Sequence, residues 1–237
     1  MIKMFQSNWF GIDFATFTDP DPSKQADEAF YDLFYEQFFK KFNSYDELPL
    51  EWKAHKSSLA NFIFSHVQYK KATLSIGCGN GYIENELSKM KFSGTLTAIE
   101  PSITASRWLK DNEKITLIHG YFPDALKTHT SFDFAYMSYI EYVFQDEAYV
   151  NILKEIKAYP IHEFLLVGAS TYPSTVSFLV KHILKTVLIR LGVIKGQLWG
   201  YQRSLEEHLS IFQQAGYENV EHGKLSDGTL WIKARNE

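Results

Sequence analysis

Cysteine is nearly absent from this chain of 237 residues, which contains only Cys78. No disulfide can therefore form within the chain, and a secreted disulfide scaffold is excluded. An excess of basic charge is also lacking, since 24 Lys and Arg stand against 28 Asp and Glu for a net charge of -4. Bulk binding of DNA or RNA through phosphate neutralisation is therefore not expected.

Signals for export and for metal binding are missing as well. The N-terminal residues contain no sustained apolar run of the kind that a secretory signal needs, so we expect a cytoplasmic protein. No His-Glu-x-x-His occurs, and the histidines from His162 onward show no metal-ligand spacing with a second His or Cys. We therefore expect no metal ion.

The most apolar stretch of the chain covers residues 174–195, but Lys181, Lys185 and Arg190 interrupt it. It is too charged for a membrane span. A basic apolar helix of this kind can pack on the sheet, make peripheral contact with a lipid surface, or form the contact of a homodimer. We favour packing and leave the other two open.

Hydrophobic residues make up 45% of the chain, which is enough for the core of one large domain. From Lys71 onward, strand and helix patterns alternate. Strands are predicted at 72–77, 95–100, 115–119, 132–138 and 163–169, and helices at 81–90, 102–111 and 145–158. Such alternation is typical of an α/β protein with a parallel sheet and helices on both of its faces.

The part before this alternation has a helical pattern. Apolar residues at three- and four-residue steps predict an amphipathic helix over 26–42, with Ser23 as its cap, and a second helix over 51–67. Residues 1–70 are therefore interpreted as a helical N-terminal cap on a domain of residues 71–237. The aromatic residues of this cap are more typical of a core than of a ligand cage, although a cap can also close over a substrate.

The C-terminal part predicts a helix followed by a hairpin. Leu205 to Ala215 has a helical pattern that stops at Gly216. Two strand-like runs, 217–224 and 229–234, flank an Asp-Gly pair, which is a hairpin signal. The sheet is therefore expected to end in an antiparallel hairpin.

The most informative segment runs from Thr73 to Tyr82, where an apolar strand leads directly into Gly77, Gly79 and Gly81. Glycines at alternate positions let the backbone take positive φ and let a small molecule lie against the main chain. A dinucleotide-binding fingerprint requires a further glycine where this chain has Tyr82. The loop therefore fits a nucleoside ligand better than a dinucleotide.

An acidic residue at the end of the next strand supports this interpretation. Glu100 ends the next apolar strand, nineteen residues after Gly81. A carboxylate at that place can accept hydrogen bonds from both ribose hydroxyls of a nucleoside. The alternative is a helix-capping or merely solvated glutamate.

The loop and Glu100 together resemble class I S-adenosylmethionine-dependent methyltransferases. The resemblance implies a three-layer αβα Rossmann-like fold, with a seven-stranded sheet of order 3-2-1-4-5-7-6 and an antiparallel last strand. It covers residues 70–170 and 205–235. It leaves unexplained the first 70 residues and an insert at 171–204, which we expect near the site of the methyl acceptor.

S-adenosyl-L-methionine is the cofactor that this resemblance implies. The glycines would lie against its methionine portion, and Glu100 would hold the ribose. The full set of implied cofactor contacts is Ile76, Gly77, Cys78, Gly79, Gly81, Glu100, Pro101, Gly120, Tyr121, Phe122, Met137 and Ser138. Tyr121 stands where relatives commonly have an acid beside the adenine, and Cys78 is more typical of a small filler than of a reactive thiol.

The chain departs from the family at one place. Relatives usually carry an acid two residues before the first glycine, where it helps to order the loop and the ammonium group of the cofactor. This chain has Ser75 there. The departure keeps a non-catalytic cofactor-binding scaffold, or partner module, as an alternative function.

Candidate catalytic residues follow the strand over 132–138 or end the strand over 115–119. Methyl transfer from a sulfonium is an in-line displacement, so alignment supplies much of the rate. A base helps when the acceptor is a hydroxyl, and the candidates are Glu141, Tyr139 and His119. Each of the three can also be purely structural.

The insert carries the candidate acceptor contacts. An extended backbone would place Trp199, Tyr201 and Arg203 on one side, and two rings beside a guanidinium suit a polar cyclic acceptor. Tyr31 is a further candidate from the cap. In the alternative interpretation, Trp199 belongs to the core and Arg203 pairs with an acid such as Glu206.

The sequence thus predicts an enzyme that moves a methyl group from S-adenosylmethionine to an oxygen, rather than a nitrogen, of a small molecule or saccharide. The scaffold without turnover is the first alternative. An NAD-dependent oxidoreductase is the second, and Tyr82 disfavours it.

Overall fold

The computed structural model describes residues 1–127, 130–172 and 176–236. The elements in chain order are β1 (Ile2–Gln6), β2 (Asn8–Trp9), β3 (Ile12–Asp13), α1 (Glu28–Lys41), α2 (Leu50–Val67), β4 (Ala72–Ile76), α3 (Tyr82–Lys89), β5 (Thr95–Glu100), β6 (Ile115–His119), β7 (Phe132–Ser138), α4 (Asp146–Ala158), β8 (Ile161–Ala169), α5 (Val176–Arg190), β9 (Gln197–Gln202), α6 (Leu205–Gln214), β10 (Val220–Lys224) and β11 (Leu230–Arg235).

The main sheet has seven strands in the order β6-β5-β4-β7-β8-β11-β10. The five strands from β4 to β8 are parallel, and β11 pairs antiparallel with β8. Counted along the chain, this is the order 3-2-1-4-5-7-6 with an antiparallel last strand, so the predicted topology is confirmed. The sequence order reverses at β4, which pairs with both β5 and β7, and a crevice for ligands forms beyond such a reversal.

Helices cover both faces of this sheet. On one face, α4 and α6 bury apolar residues such as Leu153 and Phe212 against the strands. On the other face, α2 and α3 bury residues such as Ile63 and Leu87. The two cores enclose the sheet, so the predicted three-layer αβα arrangement is confirmed.

The helix predicted over 102–111 is wrong. Apart from a single 3₁₀ turn at Arg107–Leu109, this segment has no helix. The Ser102 hydroxyl accepts a hydrogen bond from the Ala105 amide at 2.9 Å, and the Ser106 hydroxyl donates to the Ser102 carbonyl at 3.1 Å. Hydrogen bonds between serine hydroxyls and the backbone compete with the backbone hydrogen bonds of a helix. The periodicity of apolar residues does not reveal them.

The N-terminal part is only partly helical. Strand β1 pairs antiparallel with β9, so the first residues of the chain are joined to the insert. Strands β2 and β3 form a second small sheet, and helices occupy residues 28–41 and 50–67. The cap of α1 is Asp27, which accepts from the Phe30 amide at 3.1 Å, rather than the predicted Ser23.

Helix α5 lies in the insert, of which residues 173–175 are outside the described residues. One of its side chains, Ile189, is buried against Phe5 and Leu198. Several of its other apolar side chains are exposed to solvent. No helix among the described parts of the chain has both the length and the apolar character to cross a bilayer.

Candidate functional site

A cavity of about 970 Å³ opens at the carboxyl ends of β4, β5 and β7, where the strand order reverses. The glycine loop, the end of β5 and the loop after β6 form one side of it, and residues of α1 and α2 form the other. This volume is at the upper end of the range for small-molecule sites. The cavity is therefore large enough for a nucleoside cofactor together with a second small molecule.

The glycine loop has a conformation that only glycine adopts without strain. Gly77, Gly79 and Gly81 have φ angles of 72°, 56° and 73°. A Cβ on Gly77 would lie 2.0 Å from the Cδ1 atom of Ile140, and one on Gly81 would lie 2.2 Å from the Cγ atom of Leu109. A side chain at Gly77 or Gly81 would therefore clash with its neighbour, and Gly77 and Gly79 line the cavity.

Glu100 lies beside this loop with its carboxylate held in place. Its Oε2 accepts from the Gly79 amide at 2.8 Å, and its Oε1 accepts from the Ser102 amide at 3.0 Å. The residue is only 9% exposed, and burial raises the pKa of its carboxyl to about 7. Each oxygen keeps a lone pair for a donor in the cavity, so the carboxylate can bind two neighbouring hydroxyls.

A second buried carboxylate, Glu84 in the first turn of α3, also reaches the cavity. Its Oε1 accepts from the Ser75 hydroxyl at 2.6 Å and from the Tyr136 hydroxyl at 2.7 Å. Burial raises the pKa of this carboxyl. Glu84 is not among the residues predicted from the sequence, although an acid shortly after a glycine loop that has Ser75 in place of an acid is a usable signal.

On the opposite side, three side chains form a hydrogen-bonded chain that ends in the cavity. The Tyr139 hydroxyl lies 2.9 Å from Nε2 of His55, and Nδ1 of His55 lies 2.9 Å from Oδ2 of Asp227. Tyr139 has a positive φ of 53°, and its ring lies against Gly168, where a Cβ would be 2.3 Å from it. Lys56 places its Nζ 4.0 Å from the centre of the same ring. Only Tyr139 of this group was a predicted site residue.

The structure brings most of the predicted site residues to this one cavity. Those that line it are Tyr31, Ile76, Gly77, Cys78, Gly79, Glu100, Pro101, Gly120, Tyr121, Phe122, Ser138, Tyr139 and Trp199. Burial raises the pKa of the Cys78 thiol well above its usual range, which agrees with the filler interpretation. Trp199 also stacks on Phe14, with ring centres 5.4 Å apart, so it belongs to the cap core and to the cavity wall.

Six predicted residues are not among the described residues that line the cavity: Gly81, His119, Met137, Glu141, Tyr201 and Arg203. Gly81 packs on Leu109 behind the loop, and Met137 is fully buried in the core. His119 is exposed at the end of the edge strand β6. Tyr201 is buried in β9. The structure therefore does not bring these six residues to the cavity wall with the other predicted site residues.

Arg203 and Glu141 are buried parts of the scaffold. Arg203 is fully buried and pairs with Asp146, not Glu206, at 2.8 Å from Nη2 to Oδ1. It also donates to the Phe144 carbonyl at 2.6 Å. Glu141 is fully buried, accepts from the Ser170 amide, and has a carboxyl pKa that burial raises to about 7. Neither side chain can touch an acceptor in this arrangement.

The buried carboxyl of Glu141 predicts a stability that depends on pH. Because its pKa is higher in the folded protein than the ordinary 4.5, the folded state holds a proton that the unfolded chain has released. Its contribution is complete below pH 4.5 and is lost as the pH rises through about 7. Relative to Glu141→Gln, we expect the wild type to lose on the order of 1 kcal/mol between pH 6 and pH 8.

Urea denaturation of both proteins at pH 6, 7 and 8 measures this difference. The matched variant is needed because His208, whose pKa burial lowers to about 4, gives stability the opposite slope below neutral pH. His208 contributes equally to both proteins and cancels. If the unfolding free energies of the wild type and Glu141→Gln differ by the same amount at all three pH values, the pKa of Glu141 is not raised into this range.

Among the described residues, no group of three or more His, Cys, Asp or Glu side chains is arranged to hold a metal ion. Glu84 and Glu100 beside the loop, and the hydrogen-bonded Tyr139 and His55 on the other side, are side chains at the cavity that can accept or transfer a proton.

Comparison with known proteins shows similarity in structure only. No family model matches the chain, and no curated protein matches it. The solved structure of PigF with SAH has 17% identity and a TM-score of 0.61, over 88% of this chain and 60% of that one. A protein of Nostoc punctiforme PCC 73102 assigned as an O-methyltransferase has 10% identity and a TM-score of 0.64, over 94% and 66% of the two chains.

Human N-acetylserotonin methyltransferase in complex with SAM has 14% identity and a TM-score of 0.62, over 97% of this chain and 62% of that one. The chain thus spans about three-fifths to two-thirds of the length of these solved chains. At such low identity, the shared feature is the arrangement of the backbone. Together with the strand order, these structures show that the chain has the fold of class I S-adenosylmethionine-dependent methyltransferases.

Proposed function

We propose that this chain binds S-adenosylmethionine and transfers its methyl group to an oxygen, in preference to a nitrogen, of a small molecule or saccharide. The observation that carries the proposal is the position of Glu100, whose carboxylate is fixed by the Gly79 and Ser102 amides at the wall of the cavity. A carboxylate beside a glycine loop at the cavity wall suits a ligand in which a ribose is joined to a flexible methionine chain.

The residues present fit this cofactor. Glu100 would hold the ribose hydroxyls. Gly77 and Gly79 would lie against the methionine portion, and glycine is needed at residue 77 because a Cβ there would clash with Ile140. The loop after β6, with Tyr121 and Phe122, would lie beside the adenine. When bound, the cofactor supplies an activated methyl group on sulfur, and the protein has to align the acceptor oxygen with it.

The proton of a hydroxyl acceptor has a route through Tyr139 and His55. In the neutral imidazole of His55, a hydrogen bond from Nδ1–H to Asp227 leaves Nε2 without a proton, and the Tyr139 hydroxyl can then donate to Nε2. The same tyrosine oxygen can accept a hydrogen bond from an acceptor hydroxyl in the cavity. The acceptor proton would pass to Tyr139 as the phenol proton passes to His55, and the resulting imidazolium would lie beside the Asp227 carboxylate.

The acceptor side of the cavity is aromatic. Trp199 and Tyr31 line it with ring centres 5.3 Å apart, and Tyr142 adds a third ring. These flat apolar walls suit a cyclic acceptor that carries a hydroxyl. Because Tyr31 and His55 come from the first 70 residues, we also propose that this segment acts as a cap on the domain of residues 71–237.

The experiment that tests the proposal is calorimetry followed by a transfer assay. Titration with S-adenosylmethionine and S-adenosylhomocysteine should release heat, and NAD should not displace them. A labelled methyl group should then move to at least one member of a panel of phenols, sugars and amines. Binding without turnover on the panel would favour the scaffold, and displacement by NAD would favour an oxidoreductase. Cytoplasmic location also stays a proposal.

A further inference from the structure

The glycine loop has an unusual pair of residues beside it, Ser75 in place of an acid and a buried Glu84. Ser75 lies on β4 two residues before Gly77, and its partner in the neighbouring strand β7 is Tyr136. Both hydroxyls donate to the same oxygen of Glu84, at 2.6 and 2.7 Å. The Glu84 carboxylate thus lies within hydrogen-bond distance of the side chain at residue 75.

The second oxygen of Glu84 has no hydrogen-bond partner among the described residues, although it is buried. The whole residue is 2% exposed and lines the cavity. A buried carboxylate oxygen without a partner costs stability, so its presence needs a reason. Lys56 does not supply the missing partner, because its Nζ lies over the Tyr139 ring.

We propose that Glu84 binds the ammonium group of the methionine portion of the cofactor, through the oxygen that is unpartnered in the free protein. This inference rests on the proposed function. The acid is supplied from helix α3 instead of strand β4, and Ser75 is the small hydroxyl that this change requires. An acid at residue 75 beside Glu84 would place two carboxylates at hydrogen-bond distance, which repel each other.

Calorimetry with two ligands tests this assignment. S-adenosylhomocysteine carries the ammonium group, whereas 5′-methylthioadenosine shares its nucleoside and sulfur but lacks that group. In Glu84→Gln, we expect the affinity for S-adenosylhomocysteine to fall roughly 10- to 100-fold, as for the loss of a hydrogen bond to a charged group. The affinity for 5′-methylthioadenosine should stay unchanged.

The matched control is Glu86→Gln on the same helix, since Glu86 pairs with Lys89 at the surface and does not line the cavity. It should bind both ligands as the wild type does. Returning an acid to the strand, in Ser75→Asp combined with Glu84→Gln, should recover much of the lost affinity. Thermal unfolding of the free Glu84→Gln protein should show no loss of stability, because the substitution removes the charge from a buried carboxylate that has an oxygen without a hydrogen-bond partner.

The outcomes separate this inference from the proposed function. If the wild type binds neither ligand, the proposed function fails. If Glu84→Gln weakens both ligands equally, or weakens neither, the wild type binds the cofactor but Glu84 does not hold its ammonium group. Either of the last two results overturns the assignment of Glu84.

A different observation concerns the outer face of α5. Val180, Ile183, Leu184 and Val187 are between 44% and 61% exposed, whereas Ile189 is 3% exposed. At about 100° per residue, the four exposed side chains fall within an arc of roughly 100°, and Ile189 lies opposite to them. The helix therefore packs on the protein by one side and presents a second apolar stripe outward.

The charge around this stripe indicates what covers it. Between residues 170 and 204 the sequence has no Asp or Glu, and Lys181 is exposed beside the stripe, whereas Lys185 donates to the Phe5 carbonyl at 2.9 Å. An outward apolar stripe on a helix with basic and no acidic residues is typical of helices that lie in the interface of an anionic membrane. A second copy of this chain would bring this basic segment against itself. We propose that α5 binds the surface of an anionic lipid bilayer.

Cosedimentation with vesicles tests this second proposal. Vesicles of phosphatidylcholine with phosphatidylglycerol should bind the protein, and pure phosphatidylcholine should bind it at least 10-fold less. Ile183→Glu with Leu184→Glu should abolish binding, whereas Tyr69→Glu, an exposed site at the end of α2, should not. No binding to either vesicle, or a dimer in light scattering that the double variant dissociates, overturns the proposal.

Discussion

Replacing Glu100 with glutamine is expected to weaken the binding of S-adenosylhomocysteine by roughly 100-fold or more. In the proposed complex, the carboxylate accepts from two ribose hydroxyls, and a hydrogen bond to a charged group contributes about 1.5–3 kcal/mol. Glutamine keeps the shape but turns one acceptor into a donor, which cannot satisfy the same pair. Calorimetry at pH 8 measures the change, with the exposed Glu113→Gln as the matched control.

The same carboxylate gives the affinity a pH dependence with a defined sign. Burial raises the Glu100 pKa to about 7, and the ribose is bound by the ionised form. The ionised fraction rises about tenfold from pH 6 to pH 8, so the affinity of the wild type should rise by the same factor. In Glu100→Gln the part of this rise that comes from residue 100 should disappear. Equal affinities of wild type and variant at pH 8 would refute the ribose assignment and, with it, the proposed function.

The glycine loop and Glu100 were predictable because both follow directly from strand ends. In a parallel sheet, the carboxyl ends of adjacent strands meet at one edge, so two short motifs fix their own relative position. The strand order 3-2-1-4-5-7-6 followed from the resemblance that these motifs carry. Local sequence was sufficient here because the contacts join neighbouring strands.

The other side of the cavity could not be predicted, because its contacts join distant parts of the chain. His55 meets Tyr139 across 84 residues and Asp227 across 172 residues. No spacing rule connects a cap helix to the turn of the last hairpin. The pairing of β1 with β9 is equally remote in sequence.

Arg203 shows a different limit of sequence-based prediction. Alternation along residues 199–203 predicts that Trp199, Tyr201 and Arg203 share a side, but it does not say what that side faces. The structure buries Arg203 against Asp146 and leaves only Trp199 at the cavity. Periodicity gives the direction of a side chain relative to its neighbours, whereas its environment depends on which element packs there.

Replacing His55 with glutamine is expected to lower kcat for a hydroxyl acceptor by about 10²- to 10⁴-fold, the usual contribution of a positioned base. The affinity for S-adenosylhomocysteine should not change, because His55 lies on the acceptor side of the cavity. Asp227→Asn should give a smaller loss, since it disturbs the tautomer of His55 without removing the imidazole. The measurement is the initial rate of methyl transfer with the acceptor that the panel identifies, at saturating cofactor.

A series of phenols with decreasing pKa distinguishes a proton acceptor from a structural histidine. A phenol that is already ionised needs no base, so the defect of His55→Gln should shrink as the phenol becomes more acidic. His222→Gln, at an exposed position of the same hairpin as Asp227, should match the wild type throughout. If the defect is the same for every phenol, His55 positions Tyr139 without taking a proton, and the route through Asp227, His55 and Tyr139 is wrong.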